Sequence, residues 1–181
     1  MAEFIQKHKL FSFYSALMII VVLIAIFAPW LAPGDAFTSN MSQSLQAPSS
    51  HHWFGTDKLG RDVLSRVIYG TQLSLFMGVS IVVIMVSIGT IIGAVAGYFG
   101  GKIEMILMRL ADIMLSFPGV VLAIAIAGIL GGSIVNTIIA LSVVGWAKYA
   151  RLVRSMTLKV RGEEYVTAAV MMGASTSTIL R

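Results

Sequence analysis

Two stretches of this chain leave little choice of fold. No charged residue occurs from Leu10 to Ala28, and none from Leu73 to Tyr98. A helix rises about 1.5 Å per residue and a bilayer's hydrocarbon core is about 30 Å thick, so about 20 apolar residues cross it. Inside lipid the backbone must satisfy its own hydrogen bonds, and an unbroken apolar run without strand-like alternation does so as a helix. The whole chain is 57% hydrophobic and 12% charged. A soluble domain is nearer 45–50% and 25%. The expected fold is therefore all-α, a polytopic bundle of transmembrane helices with lipid over most of its apolar surface.

The first run reads as an uncleaved span, because a signal peptide's apolar region is only about 7–15 residues long. Pro29, Pro33 and Gly34 stop it, and Trp30 sits where an interfacial aromatic belongs. Residues 35–58 are a polar connector. From Leu59, the residues Leu59, Val63, Leu64, Val67 and Ile68 recur at helical spacing, with Arg61, Asp62, Ser65 and Arg66 opposite. That pattern predicts an amphipathic helix, lying along the membrane surface or packed on its own domain. In the second span Gly89, Gly93, Gly97 and then Gly101 come four apart, on one stripe that lets a neighbouring helix approach closely. Tyr98-Phe99-Gly100-Gly101 reads as a turn.

A third span, Lys102 to Leu130, is interrupted. Phe117-Pro118-Gly119 breaks its middle, since proline lacks the amide a helix needs. Arg109 and Asp112 lie three apart, close enough to face each other as an intramembrane charge pair, and charges within a span are costly. They either gate or merely stabilise. A fourth span starts at Ile134 and runs to about Ala147, or through Tyr149 if its helix continues. Asn136, Thr137 and Ser142 in it either line a polar route or bond to adjacent helices.

With four spans, the N-terminus, the 98–102 turn and the C-terminal segment share one side. That side holds Lys7, Lys9, Lys102, Lys148, Arg151, Arg154, Lys159, Arg161 and Arg181; the other holds Lys58, Arg61 and Arg66. Nine against three, with Arg109 inside a span, places both termini in the cytoplasm. The formal charge of +5 is thus membrane orientation. No basic-aromatic platform suggests nucleic acid. There is no cysteine, hence no disulfide or thiolate metal site. His51 and His52 are adjacent in a polar loop and read as solvated rather than as metal ligands.

Two further stretches carry a resemblance. Phe54-Gly55-Thr56-Asp57-Lys58-Leu59-Gly60-Arg61-Asp62-Val63-Leu64-Ser65-Arg66 is followed by Gly70 and Ser74-Leu75. Tyr149-Ala150-Arg151-Leu152-Val153-Arg154 runs into Glu164-Tyr165-Val166-Thr167-Ala168-Ala169 and Gly173-Ala174-Ser175. Together with Gly-Tyr-Phe-Gly-Gly at 97–101 and Met-Arg-Leu-Ala-Asp at 108–112, these resemble the dipeptide, oligopeptide and nickel permeases of ABC importers, in the subunit with a short N-terminal extension. The second stretch is similar to their cytoplasmic "EAA" loop, with Thr167 where that pattern has glutamate and Glu164 three residues earlier. The pattern continues past Arg181, and the family has about two further spans there. The chain therefore reads as a C-terminally truncated piece.

The resemblance implies an extension over 1–72, carrying the first span and an external loop with the amphipathic helix. A permease core follows over 73–181, with spans at about 73–98, 102–130 and 134–149 and a cytoplasmic loop from 150. It implies that Glu164, Tyr165, Thr167, Ala168, Ala169, Met172 and Gly173 couple the permease to an ATPase. The expected partners are a second homologous permease, one or two ABC ATPases, an extracytoplasmic solute-binding protein and the bilayer. Small residues suit a groove, and Tyr165, Met171 and Met172 supply apolar grip. No Gly-x-x-x-x-Gly-Lys-Ser/Thr sequence is present, so ATP hydrolysis falls to the partners and no cofactor is expected. The cargo is a small peptide or nickel, free or chelated. The rivals are a channel or assembly scaffold without ATP coupling, and a membrane enzyme, for which the scattered acids offer no site.

Overall fold

The computed structural model describes residues 9–175 and Thr178. Its helices are α1 (Lys9–Ile26), the short α2 (Ala28–Leu31), α3 (Val63–Phe99), α4 (Gly101–Ser116), α5 (Gly119–Leu130), α6 (Ile134–Arg161) and α7 (Glu164–Met171), with a 3-10 turn at Met41–Gln43. Among the described residues the only β pairing is a single bridge between Thr56 and Asp62. The fold is all-helical. Two helices, α1 and α3, are long and apolar enough to cross a membrane, and α4 with α5 makes a third candidate if the bent pair is one span. The expectation of four spans is thus not met by length and composition alone. In α6 only the stretch from Ile134 to Ala147 is free of charge before Lys148.

Contacts divide the chain into two units, up to Gly78 and from Val79. In the first, the segment before α3 is a tied loop. The Asp57 carboxylate accepts from the amides of Leu59 (2.8 Å) and Arg61 (3.0 Å), from Arg61 Nε (2.9 Å) and from Arg66 Nη1 (2.5 Å). The Arg61 side chain and amide hold that carboxyl well below the usual carboxylate range. Thr56 Oγ1 donates to the Gln43 carbonyl and accepts from the Gln46 amide at 2.8 Å. Gly55 and Gly60 both adopt positive φ. The Phe54–Asp62 motif is thus a folded loop in which the side chains of Thr56, Asp57, Arg61 and Asp62 each have an internal partner.

Asp62 then starts α3. Its Oδ2 accepts from the amide and hydroxyl of Ser65 at 2.7 Å each, and Ser65 Oγ accepts from the Gly34 amide at 3.0 Å. His52 Nδ1 lies 3.0 Å from Asp62 Oδ1. Burial pushes this carboxyl's pKa up, but the bonds from Ser65 and His52 outweigh it and the net direction is down. Asp62→Ala removes the cap, at a cost of about 1 kcal/mol. We expect the first-turn amides of α3 to exchange with deuterium several-fold faster, read by mass spectrometry; unchanged exchange would assign the start of α3 to other contacts.

The amphipathic helix expected from Leu59 is not a separate element. It begins at Val63, because Gly60 is left-handed and Asp62 caps, and it continues without a break into the span. At about 1.5 Å per residue, the 37 residues of α3 reach about 55 Å, far beyond the hydrocarbon thickness.

In the second unit, burial is inverted relative to a soluble protein. Most buried positions are small, including Ala96, Ala111, Ala123, Ala140, Ala147 and Ala150, with Ile138, Trp146 and Val166 as the larger exceptions. Large side chains such as Val120, Ile124 and Ile129 face outward, as suits a helix whose solvent is lipid. α4 ends before Pro118, whose ring forces Phe117 into extended geometry (φ −91°, ψ 147°). The axis turns by 90° into α5. At the next corner Asn136 Nδ2 donates to the carbonyls of Leu130 (2.6 Å) and Gly131 (3.1 Å), closing the C-terminus of α5. Thr137 Oγ1 bonds within its own helix, and buried Ser142 Oγ has no partner.

Candidate docking helix and its anchorage

α6 does not stop where its charges begin. It runs to Arg161, with Lys159 and Arg161 in the last turn against the negative end of the helix dipole. Gly162 caps it, and α7 follows at once. Val166 is buried and Ala169 half-buried, so these hold α7 against the rest of the unit. Glu164, Tyr165, Thr167 and Ala168 lie exposed, as do Met171 and Met172. Tyr165, Ala168 and Met172, spaced three and four apart, form one outward stripe.

The end of α7 is a Schellman turn. The Ala174 amide reaches back to the Ala169 carbonyl (3.0 Å), the Gly173 amide reaches Val170 (3.0 Å), and Gly173 has φ +83°. Gly173 is needed for its backbone. A Cβ there would meet nothing within 4 Å, so the site is conformationally special and sterically open.

Behind α7, the backbone of α6 lies directly on the glycines of α3. A Cβ on Gly89 would stand 2.5 Å from Tyr149 Cβ, on Gly93 2.4 Å from the Ala150 carbonyl oxygen, and on Gly97 2.7 Å from Thr157 Cβ. Gly101 is outside this stripe. Gly100, at φ +66°, ends α3, and Gly101 opens α4, where a Cβ would touch nothing. On its other side α6 meets α4 through Ala111, Trp146, Ala147 and Ala150, with Met108 and Leu115 beside them.

Two ion pairs cross the α4–α6 contact. Arg151 Nη2 lies 2.5 Å from Asp112 Oδ1, and Arg154 holds Glu104 with Nε at 2.6 Å and Nη2 on the same oxygen. This corrects the expected pairing of Arg109 with Asp112. The face of α4 turned to α6 carries Glu104, Met108, Ala111 and Leu115. Asp112 lies at the edge of that face, while Arg109 is a further 60° round at helical spacing and is exposed. Among the described residues Arg109 is in no ion pair. The sequence held the signal: Glu104, Met108 and Asp112 are spaced by four, and Arg151 and Arg154 by three.

Comparison with known proteins bears on this arrangement. The family described as binding-protein-dependent transport system inner membrane component matches residues 89–181, which hold the last eleven residues of α3, the bent pair, α6 and α7. The chain belongs to that family. The N-terminal transmembrane domain of oligopeptide transport permease C matches residues 5–48 of this family member.

Similar permeases of the family include the dipeptide transport system permease protein DppC of Alkalihalophilus pseudofirmus, 43% identical over 97% of this chain and 58% of its own length. The oligopeptide transport system permease protein OppC of Bacillus subtilis is 37% identical over 97% of this chain and 57% of its own. The glutathione transport system permease protein GsiD of Escherichia coli is 44% identical over 90% and 54% respectively. The chain thus spans somewhat over half the length of these relatives.

Proposed function

We propose that this chain is part of the transmembrane permease subunit of an ATP-driven ABC importer for small peptides. The observation that carries this reading is α7: a short helix after a basic helix end, showing Tyr165, Met171 and Met172 outward and closed by a left-handed glycine, in a chain of this family. The helix seats in a groove on an ABC ATPase. Closure of the paired ATPases on ATP displaces α7 and α6, and that motion rocks the spans between outward- and inward-facing states. The permease itself hydrolyses nothing. A second homologous permease completes the pathway, and an extracytoplasmic binding protein delivers the solute.

The orientation rests on charge and on contacts within the second unit. Gly97 faces Thr157 and Gly100 faces Arg161, so the end of α3, Lys102 and the basic half of α6 lie together. α6 runs parallel to α3 and antiparallel to α4, which makes the bent α4–α5 pair the return crossing. Basic residues gather on the cytoplasmic side, which puts the N-terminus there and the 29–62 segment outside. Peptide cargo is favoured over nickel by the relatives, whose names specify dipeptide, oligopeptide and glutathione transport.

Gly173 tests the docking. An arginine in left-handed geometry costs about 1–2 kcal/mol and adds bulk beside the outward stripe, whereas asparagine tolerates that backbone. In the full-length permease, Gly173→Arg should reduce co-purification of the ATPase more than tenfold with insertion intact, and Gly173→Asn should stay near wild type. Normal transport by the arginine variant would refute the assignment. The cargo is read by uptake of a labelled dipeptide and of labelled nickel in cells with and without the full-length gene. Permease-dependent nickel uptake without peptide uptake would overturn the peptide reading.

A further inference from the structure

Arg154 occupies an unusual place. Its backbone lies against two of the α3 glycines: a Cβ on Gly93 would come within 3.0 Å of the Arg154 nitrogen, and one on Gly97 within 3.0 Å of its oxygen. Its guanidinium meanwhile grips Glu104 in the first turn of α4 through two nitrogens on one oxygen. One residue of α6 therefore touches both α3 and α4, two turns before α6 ends and α7 begins. The neighbouring pair cannot serve equally. Arg151 and Asp112 are 54% and 57% exposed, and so open a pair is worth little. Arg154 and Glu104 are 31% and 23% exposed. Apart from that exposed pair, α4 and α6 meet through the apolar side chains of Ala111, Trp146, Ala147, Ala150, Met108 and Leu115, a non-directional contact, whereas a partly buried charged contact of two hydrogen bonds fixes register.

We propose that the Arg154–Glu104 pair is the strut that passes a displacement of α7 from α6 into α4, and so into the bent α4–α5 pair. Arg154 and Glu104 are positioning residues for transport, remote from the docking stripe itself. The inference rests on the docking reading. Without the strut, α6 still moves with α7, but α4 no longer follows in step. ATP hydrolysis then continues while solute movement falls.

The experiment uses the full-length permease assembled with its partners in proteoliposomes, measuring ATPase co-purification, ATP hydrolysis and dipeptide moved per ATP. Glu104→Gln should keep the ATPase bound and hydrolysis within about threefold, while dipeptide per ATP drops about tenfold. The exchange Glu104→Arg with Arg154→Glu should recover much of that loss, which repair of simple destabilisation by either single change would not do. Asp112→Asn, at the exposed pair, should stay within about twofold. An unchanged ratio in Glu104→Gln with the ATPase still bound overturns the strut and leaves docking intact. Loss of assembly in Glu104→Gln, or an exchange variant no better than either single change, makes the pair a folding contact and also overturns it. Failure of the wild-type permease to capture its ATPase removes the docking reading, and the strut falls with it.

Discussion

Gly93→Ala is expected to separate α3 from α6. The added methyl carbon would lie 2.4 Å from the Ala150 oxygen, 2.8 Å from Val153 Cβ and 3.0 Å from the Arg154 nitrogen. All three belong to the rigid part of the opposing helix, so no rotamer change relieves the overlap and the helices must move apart. Overpacking of this kind costs about 1–3 kcal/mol, and here it takes the close contacts at Gly89 and Gly97 with it. In lipid nothing hydrophobic presses the two helices back together. We place the effect at about 3 kcal/mol, read as a lower melting temperature of the detergent-purified permease and loss of its monodisperse peak.

Two comparisons make that result specific. Gly78→Ala lies on the same helix with nothing within 4 Å of the new carbon, and should be neutral within about 1 kcal/mol. Gly145→Ala would bring a carbon to 1.7 Å from Met85 Cε, nominally a worse collision. That atom ends a flexible thioether, which turns aside, so the change should be milder than at Gly93. Equal losses at Gly78 and Gly93 would show that close approach to α6 does not govern this stripe, since alanine is the better helix former at both sites.

Gly60→Ala should collapse the tied loop before α3. Its φ is +73°, which costs a residue with a side chain about 1–2 kcal/mol. The new carbon would also fall 1.7 Å from the Asn40 carbonyl oxygen and 2.6 Å from its carbon. Asn40 cannot yield alone, because its amide donates to the Leu59 carbonyl at 2.9 Å and its oxygen accepts from the Gln43 amide at 2.9 Å. Steric overlap and backbone strain together exceed about 3 kcal/mol. Limited proteolysis from the side proposed as external should then cut between residues 40 and 60 at least tenfold faster, with α7, on the proposed cytoplasmic side, untouched. Wild-type resistance would mean the loop is held elsewhere.

Much of this was legible in the chain. The charge-free runs gave α1 and α3, Pro118 gave the break between α4 and α5, and the small and apolar residues after Arg161 gave a short exposed helix. Three features were hidden for physical reasons. Tyr69-Gly70-Thr71-Gln72 looks like a gap between a surface helix and a span, but a helix satisfies its own backbone and passes through polar residues; Thr71 simply bonds to the Val67 carbonyl at 3.0 Å. The onset of charge at Lys148 marks where lipid should end, and the helix there runs on to Arg161. Asp112 has a cation three residues away on its own helix and pairs instead across α4 and α6. Local spacing registers the first neighbour, and only packing reveals the second.

The 90° turn at Phe117-Pro118 sets a limit on what can surround it. The last carbonyls of α4 and the first amides of α5 have no partners along their own helices, and Ser116 Oγ answers only one of them, Ile113. Each unanswered peptide group in hydrocarbon costs several kcal/mol. The corner therefore cannot be lipid-facing: it is roofed by another polypeptide segment or it is wet. Its flanks at Val120, Val121 and Ile124 are greasy and outward, so a lipid-compatible face and a face that must be covered or wet stand within a few residues of each other. In the proposed importer, that covered face is the one that a second permease or a polar solute would meet.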